Sequence, residues 1–127
     1  MVAEQDLGRP GRVWGYVTLV ASELDATDRH IPSGVKWPEG FRLPAVKLAR
    51  MAIDTELQRS GWGRRLCEWA IALVKEQVSR HIGCRVLVTD AKKSAVGFYE
   101  KLGFTLLDTE PNRASPHPLM FINLTKL

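Results

Sequence analysis

Cysteine is nearly absent from this chain, with Cys67 and Cys84 the only two among 127 residues. They do not stand at CxxC spacing and no histidine falls at metal-ligand spacing, which argues against zinc and against a thioredoxin-like couple and leaves two buried thiols. Long apolar runs are missing too. No stretch is long enough to span a bilayer, and the N-terminal MVAEQDLGRPGR carries acids where a signal peptide would carry its apolar segment. No membrane partner is expected, and the cytoplasm is the expected location. His30, His81 and His117 are far apart without partner spacing, so surface or capping roles are expected and no metal site is assigned. There is no internal repeat and no low-complexity tract.

What is present is an ordinary globular balance, 45% apolar and 25% charged residues. The length supports one domain, 1–127, with a single modest core. The net charge of +4 is compatible with a polyanionic cofactor, with nucleic acid, or with solubility alone.

Val13 to Val20 (VWGYVTLV), β-branched and aromatic after a Gly/Pro/Arg segment, predicts a strand. Asp25 to Phe41, with two prolines, two glycines and no periodicity, predicts a long loop of the functional kind. Pro44 to Asp54 (PAVKLARMAID) predicts a second strand that runs into the segment QRSGWG, Gln58 to Gly63. Leu66, Ala70, Leu73, Val74 and Val78 then form one apolar stripe, which predicts a helix from about Gly61 to His81 with Gly83 at its stop. Cys84 to Thr89 (CRVLVT) reads as a buried strand parallel to the one before the helix, joined to it by a right-handed crossover. A shorter helix from Ser94, its cap, to Leu102 precedes Gly103, and Phe104 to Asp108 and Leu119 to Leu124 are two last strands about a turn-rich loop, TEPNRASPHP. The sum is an α/β (α+β) fold with a mixed, mostly antiparallel sheet, a central parallel pair and two helices.

A strand that ends, turns through glycines and opens a helix presents unpaired backbone amides at the positive end of the helix dipole. That geometry welcomes an anion. Gly61 and Gly63 allow close approach, while Gln58, Arg59, Ser60 and Arg64 add donors. In isolation so short a motif reads first as a tight turn. The Lys-Ser/Thr of a Walker loop and the third glycine of a dinucleotide fingerprint are both missing, so neither a nucleoside triphosphate nor a nicotinamide cofactor is indicated.

QRSGWG resembles the Q/R-x-x-G-x-G/A signature of the GNAT superfamily of acyl-CoA N-acyltransferases, and AVGFYEKLGF, Ala95 to Phe104, resembles that family's downstream helix and Gly-Phe turn. The resemblance implies acetyl-CoA as the cofactor. Its pantetheine arm would lie along the backbone of Met51, Ala52 and Ile53, and its pyrophosphate against Gln58, Arg59, Ser60, Gly61, Trp62, Gly63 and Arg64. The parallel strands would be splayed into a V that holds the acyl group. Tyr99 would be the general acid that protonates the departing thiolate; read from its residue type alone, a Tyr beside a sheet is equally a core residue. No glutamate stands in the strand before the loop, where only Lys47, Arg50 and Asp54 are polar, so a water-mediated base or a neutral incoming amine is expected. Burial is expected for Trp14 and Trp69. Lys92 and Lys93 read as a solvated pair or as partners of the CoA 3′-phosphate.

The family's opening strand and two helices have no counterpart here, since Met1 to Gln5 reads as the tail of the first hairpin strand. An N-terminally truncated GNAT-like fold is therefore expected, with an exposed sheet edge that favours a homodimer. GYVTLVASEL followed by a loop and LPAVKLARMAID resembles most the toxins of bacterial toxin-antitoxin pairs, which acetylate the amino group of aminoacyl-tRNA. That implies an amine acceptor, charged tRNA for the toxins, and an antitoxin partner; Arg29, Lys36, Arg42, Lys47 and Arg50 are available to a phosphate backbone. A small-molecule amine acetyltransferase and a non-catalytic module that keeps CoA or a partner are the alternatives.

Overall fold

Strand β2, Val13–Asp25, and strand β3, Arg42–Ile53, pair antiparallel from Gly15 opposite Ile53 to Asp25 opposite Arg42. This computed structural model describes residues 2–3, 13–25 and 42–126. The expected loop beyond Asp25, with Arg29, His30, Lys36 and Trp37, lies outside the described residues. β2 runs on past Val20 to Asp25, and β3 begins at Arg42 rather than Pro44, because across Ala21 to Asp25 and Arg42 to Val46 each strand supplies the other's backbone partners.

Val2–Ala3 forms β1 against the start of β2, as the hairpin tail was expected to do. After helix α1, Trp62–Leu73, strand β4, Val86–Asp90, lies parallel to β3. The short β5, Thr105–Leu106, and β6, Leu119–Asn123, complete a six-stranded sheet in the order β1-β2-β3-β4-β6-β5, with β3 and β4 its only parallel neighbours among the described residues.

The parallel pair is splayed. Ala45, Val46 and Lys47 face Val86, Leu87 and Val88, and the ladder stops there. The cause lies on the other side of β3: Thr18 faces Arg50 and Leu19 faces Leu48, so Ala49 is an extra residue with no partner in β2. Such a bulge bends its strand, and it falls where β3 leaves β4.

Helix α1 packs on one face of the sheet: Cys67 and Ala70, with Val74 just past its end, share a core with Val46, Leu48 and Leu87, while Leu66 packs with Trp14. Each buried leucine or valine is worth about 1.5–3 kcal/mol relative to exposure. The inclusion of Cys67, fully buried, rotates the buried arc away from Trp69, which is 49% exposed and not in the core as its proximity to the stripe suggested. Trp14 is buried as expected, and both thiols are free and buried. The α-helix ends at Leu73 rather than at His81. Val74–Val78 continues as a wider π turn, in which the Ser79 amide donates to Val74 O at 2.8 Å and the Ser79 hydroxyl to Lys75 O at 2.6 Å.

The second helix, α2, is shorter than expected, Val96–Lys101, and starts from a 3₁₀ turn at Lys93–Ala95, so Ser94 is inside that turn and not the cap. Gly103, with φ of 102°, closes it as expected. The turn-rich loop holds a third helix, α3, Glu110–Ala114, capped by Thr109, whose hydroxyl accepts from the Asn112 amide at 3.3 Å. The Asn112 side chain binds the carbonyls of Leu107 and Leu119 and the amide of Leu119, stapling β5 to β6. No helix among the described residues is long and apolar enough to cross a membrane.

Candidate acyl-transfer cleft

At the C-terminal end of β3 the chain makes a 3₁₀ turn, Thr55–Leu57, capped by the Asp54 carboxylate, which accepts from the Glu56 amide at 3.0 Å. Asp54 is thereby committed to the turn. The Gln58 side chain donates to Ile53 O at 3.0 Å and the Ser60 hydroxyl to Leu57 O, which folds the loop back on the strand it leaves. Arg59 and Gly61 both have positive φ, 65° and 86°. A Cβ on Gly61 would meet nothing within 4 Å, so glycine is required there by conformation and leaves open space in front of the helix. Arg65 is the first residue of the helix whose amide reaches back, to Gly61 O at 3.1 Å. The amides of Trp62, Gly63 and Arg64 are ahead of any intrahelical acceptor.

The structure thus gathers Gln58 to Arg64 at one exposed helix start, although the side chains divide the work differently from expectation. Gln58 and Ser60 turn donors inward to build the loop. Arg59 and Arg64 face outward, Arg64 sharing its guanidinium with Glu68 at 2.9 Å. Trp62 is half-buried beside Trp14 and Leu66, with the Arg65 guanidinium 4.6 Å above its ring. Met51 and Ile53 point to this same helical face and Ala52 to the opposite one, so what the three share is backbone. Beyond Leu48 the edge of β3 that faces β4 has no strand to pair with among the described residues.

Between the diverging strands lies a cleft of about 440 Å³. Its β3 wall is Leu48 to Met51, its apex and β4 wall are Thr89 and Asp90, and Lys92, Ala95, Phe98 and Tyr99 close it from the side of α2, with Tyr16 of β2 opposite. Tyr99 is 8% exposed and sits edge-on to Phe98 and Phe104, ring centroids 5.2 and 5.3 Å away. Burial raises its pKa above the ordinary 10.0, the neighbouring Cys67 adds to the rise, and a side-chain hydrogen bond with Thr89 opposes it. Burial also pushes the Cys67 thiol up to about 12, with Glu68 adding to the rise.

Three lining residues escaped the sequence reading. Thr89 is the buried polar side chain of the core, its hydroxyl donating to Leu48 O at 3.1 Å; the available signal was one polar residue ending an apolar run. Asp90 is bridged to Lys47 on the neighbouring strand, a pairing set by register and invisible without it. Tyr16 carried no local signal. Lys92 lines the cleft wall, whereas Lys93 does not.

A wedge between two parallel strands, continued by an anion-welcoming helix start, is the architecture of an acyl-CoA N-acyltransferase. Residues 1–106 match the family model described as the acetyltransferase (GNAT) domain, and the chain belongs to that family. Solved structures of the same fold include a tyrosine-to-phenylalanine mutant of KacT, 31% identical over 89% of this chain and 64% of that one, with a TM-score of 0.72. AtaT complexed with acetyl-methionyl-tRNAfMet is 28% identical over 89% of this chain and 64% of that chain, TM-score 0.71. An AtaT mutant bound to acetyl-CoA and to the C-terminus of the antitoxin AtaR is 28% identical over 89% and 60%, TM-score 0.67. The chain spans about 60–64% of the length of these structures. A search of curated proteins gave no match.

Proposed function

We propose that the protein is an N-acetyltransferase that moves the acetyl group of acetyl-CoA to a primary amine, and that the amine is the amino group of an aminoacyl-tRNA. The observation that carries the reading is the buried Tyr99 phenol at the wedge between β3 and β4, with β3 itself running on into the glycine loop. The residues present fit the cofactor: open space at Gly61, outward Arg59 and Arg64, unpaired helix-start amides and an open β3 edge suit a pyrophosphate and an amide-rich arm. Acetyl-CoA supplies a thioester carbonyl and a thiolate leaving group.

The amine nitrogen forms its bond to the carbonyl carbon as the C–S bond breaks and sulfur leaves with the electron pair. Tyr99, kept protonated by burial, gives its proton to that sulfur. The surplus proton of the new amide nitrogen leaves through water and restores the phenol. Asp54 caps a turn and Asp90 is bridged to Lys47, which supports an amine that arrives neutral rather than a strand carboxylate as base.

The tRNA reading draws on the AtaT complex with acetyl-methionyl-tRNAfMet, and on Lys47, Arg50 and Lys92 around the cleft. By the same likeness we propose an antitoxin partner, and by the edge position of β1 a second copy of the chain. Incubation of the purified protein with labelled acetyl-CoA, charged tRNA and a panel of small amines tests the assignment. Label on charged tRNA supports it; label on small amines alone moves the protein to a small-molecule acetyltransferase, and acetyl-CoA binding without transfer makes it a binding module.

A further inference from the structure

The wedge between β3 and β4 is lined from both faces of the sheet. Leu48 and Met51 belong to the face that α1 covers, and Tyr99 packs in the same core. Tyr16 and Arg50 belong to the other face: Tyr16 stands opposite Ala52, which points away from α1, and Arg50 stands opposite Thr18. Cross-strand partners share a face and successive residues alternate, so Tyr16 and Arg50 are diagonal neighbours there. The cleft thus has an α1 side and an opposite side. The loop from Gln58 to Arg64 opens α1, so a cofactor held by it occupies the first side and leaves the second to the acceptor. That second side has a particular chemistry. The Tyr16 ring is 43% exposed although it lines the cleft, Arg50 is exposed beside it, and Lys92 reaches the same cleft from the turn before α2. Asp90 is the one carboxylate in the lining among the described residues, and it is bridged to Lys47, so the wall is positive on balance.

We propose that Tyr16 and Arg50 are the acceptor-binding pair of the cleft, Tyr16 stacking on the terminal base of charged tRNA and Arg50 holding the phosphate next to it. An exposed ring with a guanidinium one diagonal away offers a π face for a base and a cation for a phosphate. A small amine has neither group and gains nothing from the pair. The aminoacyl group is esterified to the terminal ribose, so a base seated on Tyr16 directs the amine inward, toward Tyr99 on the far wall of the same cleft. The pair rests on the aminoacyl-tRNA reading of the site. It deepens that reading by assigning the face from which the acceptor arrives and the ring that selects a nucleotide.

Steady-state rates with charged tRNA, and with the methyl ester of the same amino acid, separate this pair from the rest of the site. Tyr16→Ala is expected to raise KM for charged tRNA about tenfold, the worth of one base on one ring. Tyr16→Phe is expected to restore it, because stacking uses the ring and not the hydroxyl. Arg50→Ala is expected to raise the same KM and to lower the salt slope of tRNA binding by about one phosphate contact. In both alanine variants the loss with charged tRNA should exceed the loss with the methyl ester by about tenfold, and KM for acetyl-CoA should move less than KM for tRNA. Equal losses with the two acceptors, or a KM for acetyl-CoA that rises with that for tRNA, overturn the proposal. A native chain that acetylates the ester and not charged tRNA overturns the tRNA reading and the pair with it, whereas unimpaired variants of a chain that does acetylate charged tRNA overturn the pair alone. If the native chain transfers nothing, filter binding of uncharged tRNA decides the pair, and equal affinity of the native and Tyr16→Ala proteins overturns it.

Discussion

Gly15 of β2 lies so close to Ile53 of β3 that a Cβ on the glycine would stand 2.6 Å from Ile53 Cδ1 and 3.0 Å from Ala52 O. The isoleucine tip can swing, but the carbonyl belongs to the strand that carries the loop. Gly15→Ala is expected to cost about 1–2 kcal/mol by overpacking, read as a lowered urea midpoint. Because the strain falls on the last residues of β3, acetyl-CoA affinity should fall with it, which isothermal titration will show.

Tyr99→Phe keeps the ring that packs against Phe98 and Phe104 and removes the proton. The expected result is a fall in kcat of about two to three orders of magnitude, with KM for acetyl-CoA little changed and a melting temperature close to that of the native protein. Since burial raises the Tyr99 pKa above 10.0, the acid form persists through and beyond neutral pH, and any alkaline loss of rate from this group should set in later than for an ordinary phenol. A thiol-release assay across pH checks both statements.

Arg59 pays for its left-handed φ of 65° with backbone strain that glycine would relieve. Arg59→Gly should therefore leave stability unchanged or slightly raised while weakening acetyl-CoA binding about tenfold, the loss of one charge-assisted contact to phosphate. Stability and affinity moving in opposite directions is the signature to look for.

Cys67 links folding to alkaline pH. Below its ordinary value of 9.0 the thiol is protonated in both folded and unfolded chains and has no effect on stability. Between 9.0 and about 12 the unfolded chain releases the proton and the folded chain keeps it, so stability falls as pH rises, by about 1.4 kcal/mol per pH unit. Urea melts at pH 8 and at pH 10.5 will show the decline, and Cys67→Ala, whatever its packing cost at pH 8, should reduce it, the raised Tyr99 pKa accounting for part of what remains.

Much of the fold was legible because local patterning and tertiary need agree. The strand expected at Pro44 to Asp54 and the helix after the glycine loop follow from an apolar run and an apolar stripe, and the parallel relation of β3 and β4 from the crossover between them. What was not legible depends on register and rotation. Trp69 sits beside the apolar stripe, yet Cys67 turns the buried arc away from it. The helix leaves α geometry after Leu73 because Ser79 reaches back to Val74 and Lys75. Ser94 lost the capping role to a 3₁₀ turn that the residues before Val96 adopt instead. In the site, Gln58 and Arg59 stand in the motif itself and were readable, whereas Thr89 and Asp90 gain meaning only when β4 is laid against β3.

Ala49 has a consequence for how such a cleft can arise or disappear. Without that one residue Leu48 and Arg50 would be adjacent, opposite Leu19 and Thr18, which are already adjacent in β2, and every side chain from Arg50 to Ile53 would keep its present face. An unbulged β3 has no reason to bend away, and its ladder to β4 is free to lengthen. Deleting that single codon is therefore expected to lengthen the ladder between β3 and β4 and narrow the wedge, an effect of chain length rather than of side-chain chemistry at that point.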